Sequence, residues 1–347
     1  MPERDLTVIT IPPATANGPL HVGHLSGPYL AADIAARAAK ARGERVLAVA
    51  GVDVGQNFIP TMAENLGVEV GPMMARWRAE ILEAFDRGLI GYDTFVDPQT
   101  PAYDAAIASM VDDMVAAGTL AMRETTLHAC GDCGRTLHHA YVSGTCPTCG
   151  CGSSGGSCEG CGGFTSAQTL VDPYCDRCGG VAVHVSATVP MLRIEDFRDQ
   201  LTAMWLRAEL PTRVRELVAH YLAAGLPEVP LAYPTNWGVA GSGRLHGMRI
   251  DVYAEVGLSW LYGVGHELDP AASTLDACVA AWEREVAELW QFHGIDNTFY
   301  FAIFWPALFA AAGIRELPLR GLVVNEFYTL DGAKFSTSRN HAIWAHE

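Results

Sequence analysis

The sequence predicts an α/β fold built on a parallel sheet and interrupted midway by a metal-stapled insertion. Three observations carry this reading. Strand-like runs alternate with amphipathic stretches in the first third of the chain. From about Thr119 to Thr188 the composition turns to Gly, Cys, Ser and Thr with little periodicity. Apolar periodicity then returns and runs into a last strand-like segment.

The elements follow in order. Leu6-Thr7-Val8-Ile9-Thr10-Ile11 is a first strand, a helix is expected from about His24 to Arg42, and Arg45 to Ala50 reads as a buried strand. Strand, helix, strand in that order begins a parallel sheet. The insertion, placed at residues 119–190, is too polar and glycine-rich to build an apolar core of its own. Periodicity resumes from Asp196 to Ala224, the stretch Ser273 to Gly313 reads as helix-rich, and Leu319 to Asn325 closes the sheet. One α/β domain, residues 1–118 and 191–347, is therefore expected around the insertion.

Composition narrows the function classes. Half of the 347 residues are hydrophobic, enough for a large core in two or three packed units. No charged-then-apolar leader precedes the first strand and no apolar run is long enough to span a bilayer, so a cytoplasmic protein with no membrane partner is expected. A formal net charge of -16 repels phosphate backbones over most of the surface, which argues against tight nucleic-acid binding by this chain alone.

Ten cysteines without a secretory leader point to metal rather than disulfides. Eight of them form four Cys-x-x-Cys pairs: Cys130 with Cys133, Cys146 with Cys149, Cys158 with Cys161, and Cys175 with Cys178. Each pair offers two thiolates, and two pairs complete a tetrahedral zinc site with no position open for chemistry. Iron–sulfur ligation is the minor alternative. Cys151 and Cys278 are left over as ordinary thiols.

Strand Thr7 to Ile11 runs through Pro12-Pro13-Ala14-Thr15-Ala16-Asn17-Gly18-Pro19-Leu20 into His21-Val22-Gly23-His24, where a helix begins. A strand, a glycine-bearing turn and a helix start leave backbone N–H groups free for a phosphate. Two imidazoles three residues apart can both donate to its oxygens, and Gly23 admits the nucleotide close to the backbone. A bare His-x-x-His is otherwise a pair of capping or surface histidines; the preceding strand and proline-rich turn favour the phosphate reading. Near the other end, Leu330-Asp331-Gly332-Ala333-Lys334-Phe335-Ser336-Thr337-Ser338-Arg339 reads on its own as a polar hairpin turn at Asp331-Gly332 followed by a serine-rich helix start.

Together the two segments resemble the HIGH and KMSKS signatures of class I aminoacyl-tRNA synthetases. Gly51-Val52-Asp53, His293-Gly294-Ile295-Asp296 and Phe304-Trp305-Pro306-Ala307 resemble the methionyl-tRNA synthetase family, and Asn325-Glu326-Phe327 with the doubled cysteine unit is closest to its archaeal and eukaryotic type. The resemblance implies a Rossmann-like parallel sheet with helices on both faces, interrupted by a zinc-knuckle insertion. It also implies a ligase that activates an amino acid with ATP and Mg²⁺ to an aminoacyl adenylate, for transfer to tRNA. His21, Gly23 and His24 would hold ATP phosphates, Lys334 would neutralise the triphosphate, Gly294 and Asp296 would hold the ribose, and Asp53 the α-amino group. By the same resemblance Cys146, Cys149, Cys158 and Cys161 would share one zinc ion, and Cys130, Cys133, Cys175 and Cys178 a second.

The sequence departs from that family where the amino-acid side chain would sit. The pocket positions read Thr15, then Tyr253, Val256, Gly257 and Trp260, then Phe301, and only Trp305 keeps the family aromatic. Changes of this kind each shift substrate preference by roughly ten-fold or more. The second lysine of the loop is Thr337, and Glu347 follows the loop closely, so a tRNA partner would be met without an anticodon-binding domain in these residues. Besides the tRNA ligase, the sequence leaves open a paralogue that passes another activated amino acid to a small molecule or carrier, and a non-catalytic nucleotide-binding or partner-binding fragment.

Overall fold

Leu6, Val8 and Ile9 are buried in the first strand, β1 (Leu6–Thr10), and they point alternately into two cores. In the computed structural model, which describes residues 4–98, 100–337 and 340–345, Leu6 and Val8 join one apolar cluster while Ile9 and Ile11 join another on the opposite face. Ser338 and Arg339 of the lysine loop lie outside the described residues. A strand covered on both faces must be apolar at successive positions, which is why β1 reads as a continuous run.

The chain continues through α1 (Leu30–Ala41), which buries Ala32, Ala36 and Ala39 against the sheet, into β2 (Arg45–Asp53) and β3 (Thr94–Val96). After the insertion come α2 (Val252–Leu268), β4 (Val286–Gly294), α3 (Trp305–Ala312) and β5 (Leu319–Asn325). Spatially the order is β5, β4, β1, β2, β3, and each neighbouring pair is parallel. The direction of winding changes between β1 and β4, so the crevice outside their carboxyl ends is where a ligand of such a sheet belongs.

Two expectations needed correction and one needed completing. The stretch Ser273 to Gly313 is helix-rich as read, but it also holds a strand the sequence did not announce: β4 lies between the helix Leu275–Glu285 and α3. Its Glu288, Gln291 and His293 give it a mixed polar pattern that sequence period could not separate from an amphipathic helix. The helix expected from His24 to Arg42 is broken. A single turn, Val22–His24, passes into π-helical Leu25–Tyr29, with Gly27 outside helical backbone angles and Pro28 within, before α1 begins. Gly27 leaves room for the Asn325 side chain, 2.9 Å from where a Cβ would stand. The insertion, finally, does have a small core, in which Leu137, Tyr141, Val142 and Leu170 pack with Cys130 and Cys175.

That insertion is an arm. Its two long strands, Ala121–Cys130 and Ala182–Arg193, pair antiparallel in continuous register from Ala121 with Met191 to Cys130 with Ala182. The second strand runs through the expected boundary between residues 190 and 191.

The arm folds back onto the body. Asn57 bridges to it, its Nδ2 donating to the His138 carbonyl at 2.9 Å and its Oδ1 accepting from Ala140 N–H at 2.9 Å. The Phe299 N–H donates to the Gly162 carbonyl at 3.1 Å, and the Phe164 N–H to the Tyr221 hydroxyl at 2.8 Å.

Candidate active site

The carboxyl ends of the parallel strands open into a cleft of about 370 Å³. Thr15, His21, Gly23, His24, Asp53, Tyr253, Val256, Gly294, Asp296, Phe301, Trp305 and Lys334 all line it. These residues lie as far as 319 positions apart, counted from Thr15 to Lys334, and the topology alone gathers them. Trp260 is the exception: it lies one layer behind the wall, edge-on to Trp305 with ring centres 4.6 Å apart.

His21 and His24 stack face to face, ring centres 3.6 Å apart and planes 7° from parallel. Each Nδ1 accepts from the other's backbone N–H, at 3.2 and 3.3 Å. An accepting Nδ1 leaves the proton on Nε2, so both rings present an N–H donor on their far edge. Burial, aided by Lys334, brings His21 down to about 4. Burial, then His21, then Lys334 bring His24 to about 3. Both rings are therefore neutral near pH 7, oriented as donors and spared the desolvation of a charge. The backbone of this turn is pinned from outside, for Val22 N–H donates to the Ile343 carbonyl at 3.0 Å and Ala345 N–H to that of Leu20 at 2.9 Å.

Asp53 ends β2, and Thr15, in a two-residue strand paired with it, stands directly opposite. One carboxylate oxygen accepts from the backbone N–H groups of Gly55 and Gln56 at 3.0 and 3.1 Å, the other from the Thr15 hydroxyl at 3.4 Å. Burial still dominates these bonds and pushes Asp53 up to about 7. Behind it Glu255, 3% exposed, takes a hydrogen bond from the Tyr103 hydroxyl at 3.2 Å. Burial first, then the nearby Asp53, push Glu255 up to about 8. No lysine or arginine pairs with either carboxylate among the described residues, so this end of the cleft is prepared for a cation from outside.

The aromatic wall beside Asp53 rests on α2 and α3. Trp305 Nε1 donates to the Tyr253 carbonyl at 2.6 Å, and Phe301 meets Trp305 edge-on at 4.4 Å. Gly257 permits this contact, since a Cβ there would stand 2.5 Å from the Trp305 ring. Tyr253 lies flat on Tyr300, ring centres 3.5 Å apart. A second π-helical segment, Tyr300–Phe304, precedes Trp305, so both π-turns among the described residues flank the cleft, as such turns often do at functional sites.

At the opposite end Thr329–Leu330 and Ala333–Lys334 form a two-stranded hairpin whose turn residues, Asp331 and Gly332, have φ of 50° and 80°. That is the mirror-image turn an Asp-Gly pair favours. It carries Lys334 to the cleft rim, where the ammonium lies 2.5 Å from Glu159 and 4.2 Å from the centre of the Phe327 ring. Across from it Asp296 is raised to about 6 by burial, against the pull of Lys334. Thr337, where the second lysine was expected, also lines the cleft.

The eight paired cysteines collect into the two groups that the resemblance implied: Cys130, Cys133, Cys175, Cys178 and Cys146, Cys149, Cys158, Cys161, each with its sulfurs within 4.8 Å of one another. Sulfur separations of 3.4, 3.9, 3.9 and 3.5 Å span the edge of about 3.8 Å that a tetrahedron with zinc–sulfur bonds near 2.3 Å requires. Both groups can thus hold zinc, and neither contains a disulfide. Cys151 stands just outside the group that is inner in the chain, Cys146, Cys149, Cys158 and Cys161, and Cys278 is buried in the main core.

Sequence reasoning missed several residues of the site. Gln56 lines the cleft beside Asp53, and His293 lines it with its ring flat on Phe301 at 4.2 Å. Glu159 reaches Lys334 from between Cys158 and Cys161. His139 joins the arm to the first residue before α2 through a 2.5 Å contact with Asp251. Only His293 had a signal, its place beside Gly294 and Asp296, and that signal did not say which way the ring points.

The sequence profile of class I (M) tRNA synthetases matches residues 7–347. The methionine--tRNA ligase of Thermomicrobium roseum is 30% identical over 343 residues, which cover 95% of this chain and 57% of that protein. The methionine--tRNA ligase of Pyrococcus furiosus is 28% identical over 354 residues, covering 96% and 48%. Among solved structures, Mycobacterium tuberculosis methionyl-tRNA synthetase bound by methionyl-adenylate superposes with a TM-score of 0.70 at 18% identity, over 98% of this chain and 60% of that one, a likeness of fold. The chain spans about half to three fifths of the length of these relatives.

Proposed function

This chain belongs to the class I (M) tRNA synthetases, and on that premise we propose that it activates an amino acid with ATP, giving an aminoacyl adenylate and pyrophosphate. The observation that carries the proposal is the convergence in one cleft of two neutral imidazole donors, a buried carboxylate with no cationic partner among the described residues, and a lysine on a hairpin. A carboxylate oxygen of the amino acid attacks the α-phosphorus, and the bond from phosphorus to the bridging oxygen of pyrophosphate breaks in line. Catalysis of this kind is positioning and electrostatics.

Asp53 and Gln56 hold the α-ammonium. The Nε2–H edges of His21 and His24 donate to phosphate oxygens as charge grows there, Gly294 and Asp296 take the ribose, and Lys334 leaves Glu159 to meet the departing pyrophosphate. Mg²⁺ would neutralise the triphosphate, and zinc in each thiolate group would hold the arm in shape. The relatives are methionine--tRNA ligases, so tRNA is the acyl acceptor we propose first. Thr15, Phe301 and the departures on α2 favour a different amino acid, and hence the second reading, a paralogue acting on another acyl acceptor.

Amino-acid-dependent ATP–pyrophosphate exchange against the twenty amino acids and analogues tests the reading, because it requires neither tRNA nor a known acceptor. Exchange with one or a few amino acids is the expected result. None from folded, zinc-loaded protein that still binds ATP sinks it.

The pH profile is a second expectation. Asp53 must be ionised to pair with the ammonium, and its folded value of about 7 lies above the ordinary carboxylate range. In the free protein a raised carboxyl contributes stability that is present below that range and is lost as pH rises through about 7, where the buried anion forms. Substrate ammonium offsets this cost. Amino-acid kcat/KM should therefore fall about ten-fold per unit on the acid side of neutrality. Asp53→Asn should flatten that limb and lower the plateau by roughly 100-fold. An unchanged acid limb in the variant would show that another group controls it.

A further inference from the structure

His293 is the next-to-last residue of β4, and its ring is fixed in both orientation and protonation. One face lies on Phe301, planes 13° apart. Nδ1 is 2.8 Å from the Gly294 carbonyl, which can only accept, so the ring proton is on Nδ1 and Nε2 is a bare lone pair. That Nε2 is buried and has no hydrogen-bond partner among the described residues, although the residue lines the cleft. Burial also lowers His293 to about 4, which keeps the acceptor uncharged. Buried acceptors are rarely left unmatched in folded proteins, and one on a ligand cleft asks for a donor on the ligand.

The position of the ring says which part of the ligand that is. It packs with Phe301 and, through Phe301, with Trp305 and the Tyr253 backbone, on the side of the cleft that holds Asp53. The α-ammonium already has Asp53 and the second unmatched acceptor there, Gln56 Oε1. A cationic side chain would meet no counter-charge on the aromatic wall. We propose that His293 selects an amino acid whose side chain ends in a neutral hydrogen-bond donor, a hydroxyl or a primary amide, donated to Nε2, in preference to the thioether of methionine, which has no such donor. This rests on the activation reading and names its substrate class.

The test compares donor-bearing with donor-free side chains, the isosteric pair homoserine and norvaline and the pair glutamine and norleucine, together with methionine. They are measured by ATP–pyrophosphate exchange and, as the corresponding sulfamoyl-adenosine mimics of the adenylate, by direct binding to the full chain. The donor-bearing member of at least one pair should win by about 100-fold or more in kcat/KM, since a site built to bind a substrate O–H or N–H rejects the analogue lacking it. His293→Leu should bring that ratio to within about three-fold, and His293→Gln, which keeps an acceptor, should restore part of it.

Equal or better exchange with methionine or norleucine overturns the inference and leaves activation standing. So does a His293→Leu defect that follows ATP against inosine triphosphate rather than the side chain. Selective binding of a donor-bearing mimic without exchange supports the inference and overturns activation. If no mimic binds to folded protein, both fall. The wild-type ratios stand as a result even if His293→Leu fails to fold.

Discussion

Lys334→Ala should lower ATP–pyrophosphate exchange by roughly 100-fold to 1,000-fold, with most of the loss in kcat. Removing one preorganised group that meets charge developed in the transition state costs about 3–4 kcal/mol in enzymes of many kinds. Here the group has no stand-in from the usual second lysine, because Thr337 holds that position and carries no charge. His21 and His24 cannot compensate either, being neutral rings held by each other's backbone.

The lysine is not idle without substrate. Its contact with Glu159 ties the hairpin to the inner cysteine group, and the triphosphate must displace that carboxylate. Glu159→Gln should therefore tighten ATP binding modestly and leave kcat near that of the parent. The split is the informative result: a Lys334→Ala enzyme with normal kcat and a raised KM for ATP would mean that the lysine binds the ground state and takes no part in departure of pyrophosphate.

Stripping the metal should have the other large effect. Four thiolates gathered within 4.8 Å in each group repel one another once ionised, and only a dication makes that geometry favourable. Structural zinc contributes about 10–16 kcal/mol in small domains at neutral pH, comparable with the whole stability of an ordinary domain.

Chelation should then unfold the arm and abolish exchange while the parallel sheet, with its own two cores, persists. The groups should differ. Cys158→Ser should cost more activity than Cys178→Ser, because the inner group carries Glu159 and the Gly162 contact to Phe299, next to the cleft. Zinc content, far-ultraviolet circular dichroism and exchange measured on the same samples decide the matter. Full exchange from metal-free protein would show the thiol groups to be dispensable to the site.

What was legible in the sequence was local. A strand followed by a proline-rich turn and two histidines, a lysine beyond an Asp-Gly turn, and four Cys-x-x-Cys pairs are each written in consecutive residues, and backbone geometry over a few positions decides their form. That Thr15, Tyr253, Val256 and Phe301 line one cleft was anticipated only through matching family segments, each local in the chain. Where period failed was β4, whose mixed polar pattern served a strand buried on both faces at its carboxyl end.

The sequence by itself thus determined the fold class, the family and the pairing of cysteines that can hold metal in the arm. Tertiary structure alone decided that His293 lines the cleft with its Nε2 buried and unmatched among the described residues, and that Trp260 stands behind the wall. It also decided that Glu159 reaches Lys334 and that Glu255 lies behind Asp53 with no basic partner among the described residues. The physical reason is that side-chain direction, burial and the pKa shifts that follow depend on neighbours brought together from distant positions. Those neighbours are set by the winding of the parallel sheet and the docking of the arm, and no short-range pattern records them.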